Sequence, residues 1–150
     1  MAQGESKAKA LVVDDSAFSR HTLRDLLAGA GYEVAGLARD GDEGIFLYEI
    51  LRPDVVTMDL VMPRRDGISA IREIRRFDPD AQIVVCSALT DAKSVREALL
   101  GGARDFIVKP YDPARVLEAV ARAAAAREKL VPKSRTNVAE ITSRTARPRV

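Results

Sequence analysis

Five polar residues stand directly after short apolar runs. Asp14 and Asp15 follow Ala10-Leu11-Val12-Val13, Asp59 follows Val55-Val56-Thr57-Met58, Ser87 follows Ile83-Val84-Val85-Cys86, and Lys109 follows Phe106-Ile107-Val108. Taken singly, each has a plain structural reading: an Asp pair ahead of a helix is an N-cap and its neighbour, and a lysine stretches its head into water. Taken together they are a set of groups for phosphate chemistry. Three carboxylates brought close would repel and raise one another's pKa unless a cation sat among them. A hard divalent ion answers that need, and magnesium takes a few carboxylates, waters and a phosphate. An ammonium and a hydroxyl can hold phosphoryl oxygens. A carboxylate such as Asp59 can itself form an acyl phosphate, which makes it the candidate nucleophile.

For that chemistry to occur, the elements must bring residues 14, 59, 87 and 109 together. The four apolar runs, with a fifth at Val34-Ala35-Gly36-Leu37, are continuous rather than alternating, the pattern of strands covered on both faces. Helical spacing fills the gaps. Leu23, Leu26, Leu27 and Ala30 form a stripe after Ser16 as N-cap, ended by Gly31; Gly44, Leu47, Tyr48 and Leu51 form the next, stopped before Pro53. Ile68, Ile71, Ile74 and Phe77 make a third, and Val95, Ala98 and Leu99 a fourth, closed by Gly101-Gly102. Leu117, Val120, Ala121 and Ala124 make a fifth, behind Asp112 as N-cap and Pro113 at N1. Five strand-then-helix units in strict alternation predict right-handed crossovers and a parallel sheet with helices on both faces. In such a sheet all carboxyl ends of the strands lie on one edge, where ligands bind.

The chain of 150 residues is one domain's length, and with 47% apolar and 31% charged residues it is expected to fold. Net charge is +2, but of 24 basic and 22 acidic side chains the segment from Glu128 onward holds six and two. The positive charge therefore belongs to the end of the chain. There Pro132, Ser134, Thr136, Asn137, Ser143, Thr145 and Pro148 interrupt the apolar period, so the expected organisation is a lead over 1–8, a folded domain over 9–127 and a basic flexible tail over 128–150, with at most a short helix at Val138 to Ile141. No apolar stretch approaches a bilayer span and the first residues lack a signal-peptide core, so a soluble cytoplasmic protein is expected. Cys86 lies in an apolar run and reads as a small buried hydrophobe.

Leu11-Val12-Val13-Asp14-Asp15-Ser16, Asp59-Leu60-Val61-Met62-Pro63-Arg64-Arg65-Asp66-Gly67, Ser87-Ala88 and Lys109-Pro110 appear in that order, each at a strand end. These blocks resemble the signatures of the response-regulator receiver family, of the stand-alone CheY-like kind, over roughly Lys9 to Ala126. The resemblance implies a flavodoxin-like (CheY-like) α/β fold, with five parallel strands in the order 2-1-3-4-5 and five helices on both faces. That order comes with the family, since alternation of elements alone leaves it open. The resemblance also implies that Asp59 receives a phosphoryl group from a histidine kinase in a magnesium-dependent reaction. Asp15 would then ligate Mg2+ directly, Asp14 mainly through water, and Asp59 and the backbone carbonyl of Val61 would complete the protein ligands. Lys109 and Ser87 would hold phosphoryl oxygens, and the Lys109-Pro110 peptide would be cis. The family's switch couples Ser87 to an aromatic residue on the fifth strand, here Phe106, and a downstream protein would read the face of the fourth helix, fifth strand and fifth helix, with Lys93, Arg96 and Arg104. The chain is expected to act as a monomer or a weak, phosphorylation-dependent dimer.

Two departures from the best-known chemotaxis pattern flank the acceptor: Val61 and Leu89 are apolar and cannot orient an attacking water. The expectation is a long-lived phosphoryl group. His21, the only histidine, lies among Arg20, Thr22 and Arg24 and is given no catalytic role. Other readings are less well supplied. A haloacid-dehalogenase-like phosphatase would want an Asp where Val61 stands, and neither G-x-G-x-x-G nor a P-loop is present. The residues after Arg127 are too few for a helix-turn-helix domain, so no DNA binding is expected. The chain could also be the receiver portion of a longer regulator.

Overall fold

A computed structural model describes residues 7–132. Five strands alternate with five helices: β1 (Lys9–Val13), α1 (Ala17–Gly29), β2 (Glu33–Ala38), α2 (Gly41–Leu51), β3 (Val55–Met58), α3 (Gly67–Phe77), β4 (Ile83–Ser87), α4 (Ala92–Gly101), β5 (Asp105–Val108) and α5 (Pro113–Leu130). The strands form one parallel sheet in the order β2-β1-β3-β4-β5. Each strand sends alternate side chains to opposite faces, and the core divides accordingly. Leu11, Val13, Val56, Met58, Ile83 and Val85 pack with Tyr48, Ile71, Ile74 and Ala98 of α2, α3 and α4. Ala10, Val12, Val55, Val84 and Cys86 pack with Leu23 and Leu27 of α1 and with Val116, Val120 and Ala123 of α5.

The helices start where the sequence supplies a cap. Ser16, Asp40, Asp66, Asp91 and Asp112 each accept a backbone N–H from the first turn of the following helix. Such caps satisfy donors that the helix cannot satisfy itself. They also begin all five helices at the edge where the strands end, which keeps that edge polar.

The structure corrects several details of the sequence reading. β2 and β5 are edge strands: only Ala38 of β2 and Ile107 of β5 are buried, so continuous apolarity overstated how well the edges are covered. Phe77 and Leu99, placed on core stripes by spacing, are 41% and 45% exposed. Phe77 instead sits at the end of α3 with the Arg52 guanidinium over its ring. The buried stripe of α5 is Val116, Ala119, Val120, Ala123 and Arg127, rotated by about one residue from the expected one, and Ala121 is exposed. In an Ala-rich helix the apolar side chains differ too little to fix the phase. α5 also continues to Leu130, three residues beyond the expected boundary at 127, and the short helix expected at Val138 to Ile141 lies outside the described residues. Cys86 is buried, and burial pushes its thiol pKa up to about 12, which suits a packing role. Among the described residues no helix is long and apolar enough to cross a membrane.

Candidate functional site

β1 and β3 are neighbours, so the residues that follow them meet. Asp14 is buried, Asp15 exposed and Asp59 buried, and one carboxylate oxygen from each lies within 4.8 Å of the others. The backbone fixes this arrangement. Asp59 N–H donates to the Val13 carbonyl at 2.9 Å, and Asp14 N–H donates to the Ala38 carbonyl at 3.0 Å. Asp14 is held further: its Oδ1 accepts Ser16 N–H at 2.9 Å, and its carbonyl accepts Arg20 Nη1 at 2.8 Å. Asp59 Oδ1 accepts Leu60 N–H at 2.7 Å. Behind the acceptor, Gly67 has no room for a side chain, because a Cβ would overlap the Asp59 carbonyl oxygen and the Leu60 Cα. Glycine at 67 therefore lets α3 start this close against β3, behind Asp66 as its N-cap.

Lys109 arrives from β5. Its N–H donates to the Ser87 carbonyl at 2.9 Å, and the Lys109-Pro110 peptide is cis, as expected. Its Nζ lies 2.7 Å from Asp14 Oδ2, 3.6 Å from Asp59 Oδ2 and 3.4 Å from Ser19 Oγ. Asp14 and Asp59 both pair with this one ammonium and Asp15 lies beside them, so carboxylates outnumber cations in the cluster when all are ionised. Burial raises the Asp59 pKa, the Lys109 charge opposes that, and the Asp14 charge adds to it, so the net direction is upward. Burial would lower the Lys109 pKa, but the Asp14 hydrogen bond and the Asp59 charge outweigh it and the net direction is also upward. A partly buried, all-oxygen donor set in which carboxylates outnumber the nearby cations fits a hard divalent cation.

The structure thus brings together Asp14, Asp15, Asp59 and Lys109. Ser87 ends β4 on the same edge, fully buried, and its Oγ accepts Leu89 N–H at 3.3 Å. Val61 is 57% exposed in the β3–α3 loop, and Leu89 is half-buried. Phe106 is half-buried against the core on the α2, α3 and α4 side, as is Leu89. His21 is exposed on α1. Sequence reading missed Ser19 and Arg20, which reach the site from the first turn of α1. Their spacing of three and four residues from Ser16 marks a helical turn but says nothing about which way their heads point.

Residues 10–121 match the response regulator receiver domain family. The chemotaxis protein CheY of Thermotoga maritima is 53% identical over 112 residues, which cover 75% of this chain and 93% of the relative. That of Bacillus subtilis is 46% identical over 110 residues, covering 73% and 92%. Among solved structures, a chain of the CheX–CheY–BeF3–Mg2+ complex from Borrelia burgdorferi is 37% identical. It superposes with a TM-score of 0.74 over 77% of this chain and 87% of that one.

Proposed function

The chain belongs to the response regulator receiver domain family, and from that premise we propose that it is a cytoplasmic phospho-accepting switch, phosphorylated on Asp59 by a histidine kinase. The observation that carries this reading is the meeting of Asp14, Asp15 and Asp59 beside Lys109 at one edge of the sheet. Mg2+, held by Asp15 and Asp59, by Asp14 chiefly through water and by the Val61 carbonyl, would supply neutralising charge for the phosphoryl oxygens. In the transfer an Asp59 oxygen bonds to phosphorus as the bond from phosphorus to the donor imidazole nitrogen breaks, and that nitrogen keeps the electron pair. Lys109 is already within 3.6 Å of Asp59 and moves from Asp14 toward an oxygen of the new phosphoryl group. Ser87 Oγ accepts one bond, and its hydroxyl hydrogen can be given to a second phosphoryl oxygen.

The signal then leaves through protein contact. Drawing Ser87 and Lys109 toward the phosphoryl group shifts the ends of β4 and β5, and Phe106 repacks beside Leu89 without a hydroxyl to guide it. The face of α4, β5 and α5 exposes Leu99, Leu100 and Val108 near Lys93, Arg96 and Arg104, which suits a protein listener. The folded unit serving this role spans 9–130.

Incubation with Mg2+ and a small acyl-phosphate donor, followed by intact-mass measurement, tests the chemistry. One phosphate adduct on wild type and none on Asp59→Ala is expected. An adduct on both, or on neither, sinks the reading. The apolar rim of Val61 and Leu89 further predicts that the purified phosphoprotein outlives a Val61→Asn, Leu89→Glu variant, by tenfold or more on the usual scale of acid–base assistance, roughly 10²-fold. Equal or faster loss from wild type would show that the rim does not set the lifetime.

A further inference from the structure

The loop between β3 and α3 is tied to the start of α2 by contacts that the phosphate chemistry does not use. Arg64 Nη1 lies 2.7 Å from Asp40 Oδ2, Arg65 Nε lies 2.7 Å from Asp42 Oδ1, and Gly41 N–H donates to the Arg65 carbonyl at 3.2 Å. The two ion pairs differ in weight. Asp42 and Arg65 are both solvent-accessible, so their pair is strongly screened. The Asp40 side chain is only 8% exposed, its other oxygen caps α2 by accepting Glu43 N–H at 2.9 Å, and Arg64 is the one cation paired with it among the described residues. Arg64 itself is 73% exposed, so it fills no core space and acts through its charge.

The backbone at Arg64 needs holding. Its φ is +66°, and Arg65 N–H donates to the Pro63 carbonyl at 2.8 Å, so the chain makes a γ-turn around a non-glycine residue in the left-handed region. Such turns are rare and strained. They persist where neighbouring contacts over-determine them. Here the contact is Asp40, two residues beyond Ala38, whose carbonyl accepts Asp14 N–H. The turn is thereby referenced to the same strand end that positions the acidic cluster, and it directly follows Val61 and Met62.

We propose that Arg64 is a positioning residue: its ion pair with Asp40 holds the strained turn that follows Val61, and through it the position of the Val61 carbonyl that the Mg2+ reading counts as a ligand, so that cation affinity depends on it. This inference rests on the reading of the pocket as a Mg2+ site. Groups that orient metal ligands without touching the metal are worth 10- to 100-fold in affinity.

Calorimetric titration of the full chain with MgCl2 tests it on wild type, Arg64→Ala, Arg64→Gly and Arg64→Lys, with amide exchange at Val61 and Arg65 as a second readout. Expected is an affinity about tenfold weaker for the Ala and Gly variants, faster exchange at both amides, and recovery of most of the loss by Lys. Glycine separates two causes, since it relaxes at a φ of +66° but has no charge. A Gly variant that binds as tightly as wild type would mean the turn is set by backbone preference alone, which overturns the proposal. So would an Ala variant with unchanged affinity and exchange. Wild type that takes up no Mg2+ overturns the reading of the pocket itself, and this inference with it.

Discussion

The two edges of the sheet treat buried carboxylates in opposite ways. At the carboxyl edge the buried Asp14 and Asp59 share a single ammonium, Lys109, with the exposed Asp15 beside them, and burial together with the Asp14 charge lifts the Asp59 pKa. At the other edge one carboxylate, Asp78, collects hydrogen bonds from α2 and its own turn, and guanidinium charge from Arg127 and Arg52. Tyr48 Oη donates to Oδ2 at 2.8 Å, Arg127 Nη1 lies 3.0 Å away, Arg52 Nη1 lies 3.7 Å away, and Asp80 N–H donates to Oδ1 at 3.1 Å. Burial alone would raise the Asp78 pKa, yet the Tyr48 and Asp80 hydrogen bonds and the Arg127 charge outweigh it and the pKa falls. At the first edge carboxylates outnumber the cations beside them, whereas at the second Asp78 meets guanidinium charge and hydrogen bonds from within the fold. The candidate site and the internally paired carboxylate are thus placed about one strand length apart, on the two ends of the same five strands.

Breaking the satisfied edge should have the largest effect. Arg127 is buried at the end of α5 and reaches Asp78, which lies between α3 and β4 on the opposite layer, so the pair joins the two faces of the sheet. Arg127→Met keeps the aliphatic stem but leaves Asp78 with Tyr48 and the more distant Arg52. A loss of about 3 kcal/mol in urea unfolding at neutral pH is expected, the scale of an uncompensated buried charge. A change below about 0.5 kcal/mol would mean that Tyr48 and water suffice for Asp78, and the contrast between the edges would weaken.

Neutralising the unsatisfied edge should do the reverse. Asp59→Asn removes one of three crowded charges and leaves Lys109 to Asp14, so in metal-free buffer the variant should be more stable than wild type by about 1 kcal/mol, the common gain when a functional site is relieved of strain. On the Mg2+ reading, added Mg2+ should narrow the gap, since binding to the folded state would stabilise wild type. A destabilised Asn variant in metal-free buffer would show that Asp59 contributes to the fold through Leu60 N–H more than it costs by repulsion.

The same contrast separates what could be read from the sequence. The site was legible because its residues fall at strand ends and the sheet gathers them: a two-residue Asp pair, one Asp, one Ser and one Lys become informative through their common position. The parallel alternation was legible for the same reason, period and punctuation being local. Arg127 offered no such signal. In Ala-Ala-Ala-Ala-Arg-Glu it resembles any solvated arginine near a helix end, and its partner is a carboxylate in the α3–β4 turn, brought near only by tertiary packing. Arg64 and Asp40 were hidden likewise, as were the edge character of β2 and β5 and the phase of α5. Charge pairing across sequence and the choice of which strand lies outermost are decided by the assembled sheet, and no run of neighbours encodes them.

The smallest effect, and the one that sharpens the comparison in a single titration, is the acid limb. A carboxylate whose folded pKa is depressed contributes stability that is fully present above its unfolded value and is lost as pH falls through the folded one. For Asp78 the window opens near the ordinary carboxylate value of 3.8 and extends below it. Asp59 has the opposite sign: its folded pKa lies above 3.8, so its ionisation costs stability as pH rises through the window above that value, and acid relieves it. Unfolding free energy of the metal-free protein should therefore fall below about pH 4, and Asp78→Asn should flatten that fall while lowering the neutral plateau. Asp59→Asn should leave the fall below pH 4 intact and remove a shallow decline that sets in above it. If Asp78→Asn keeps the full acid slope, the loss at low pH belongs to other carboxylates, and Asp78 is held by packing around Tyr48 and Phe77 more than by its charge.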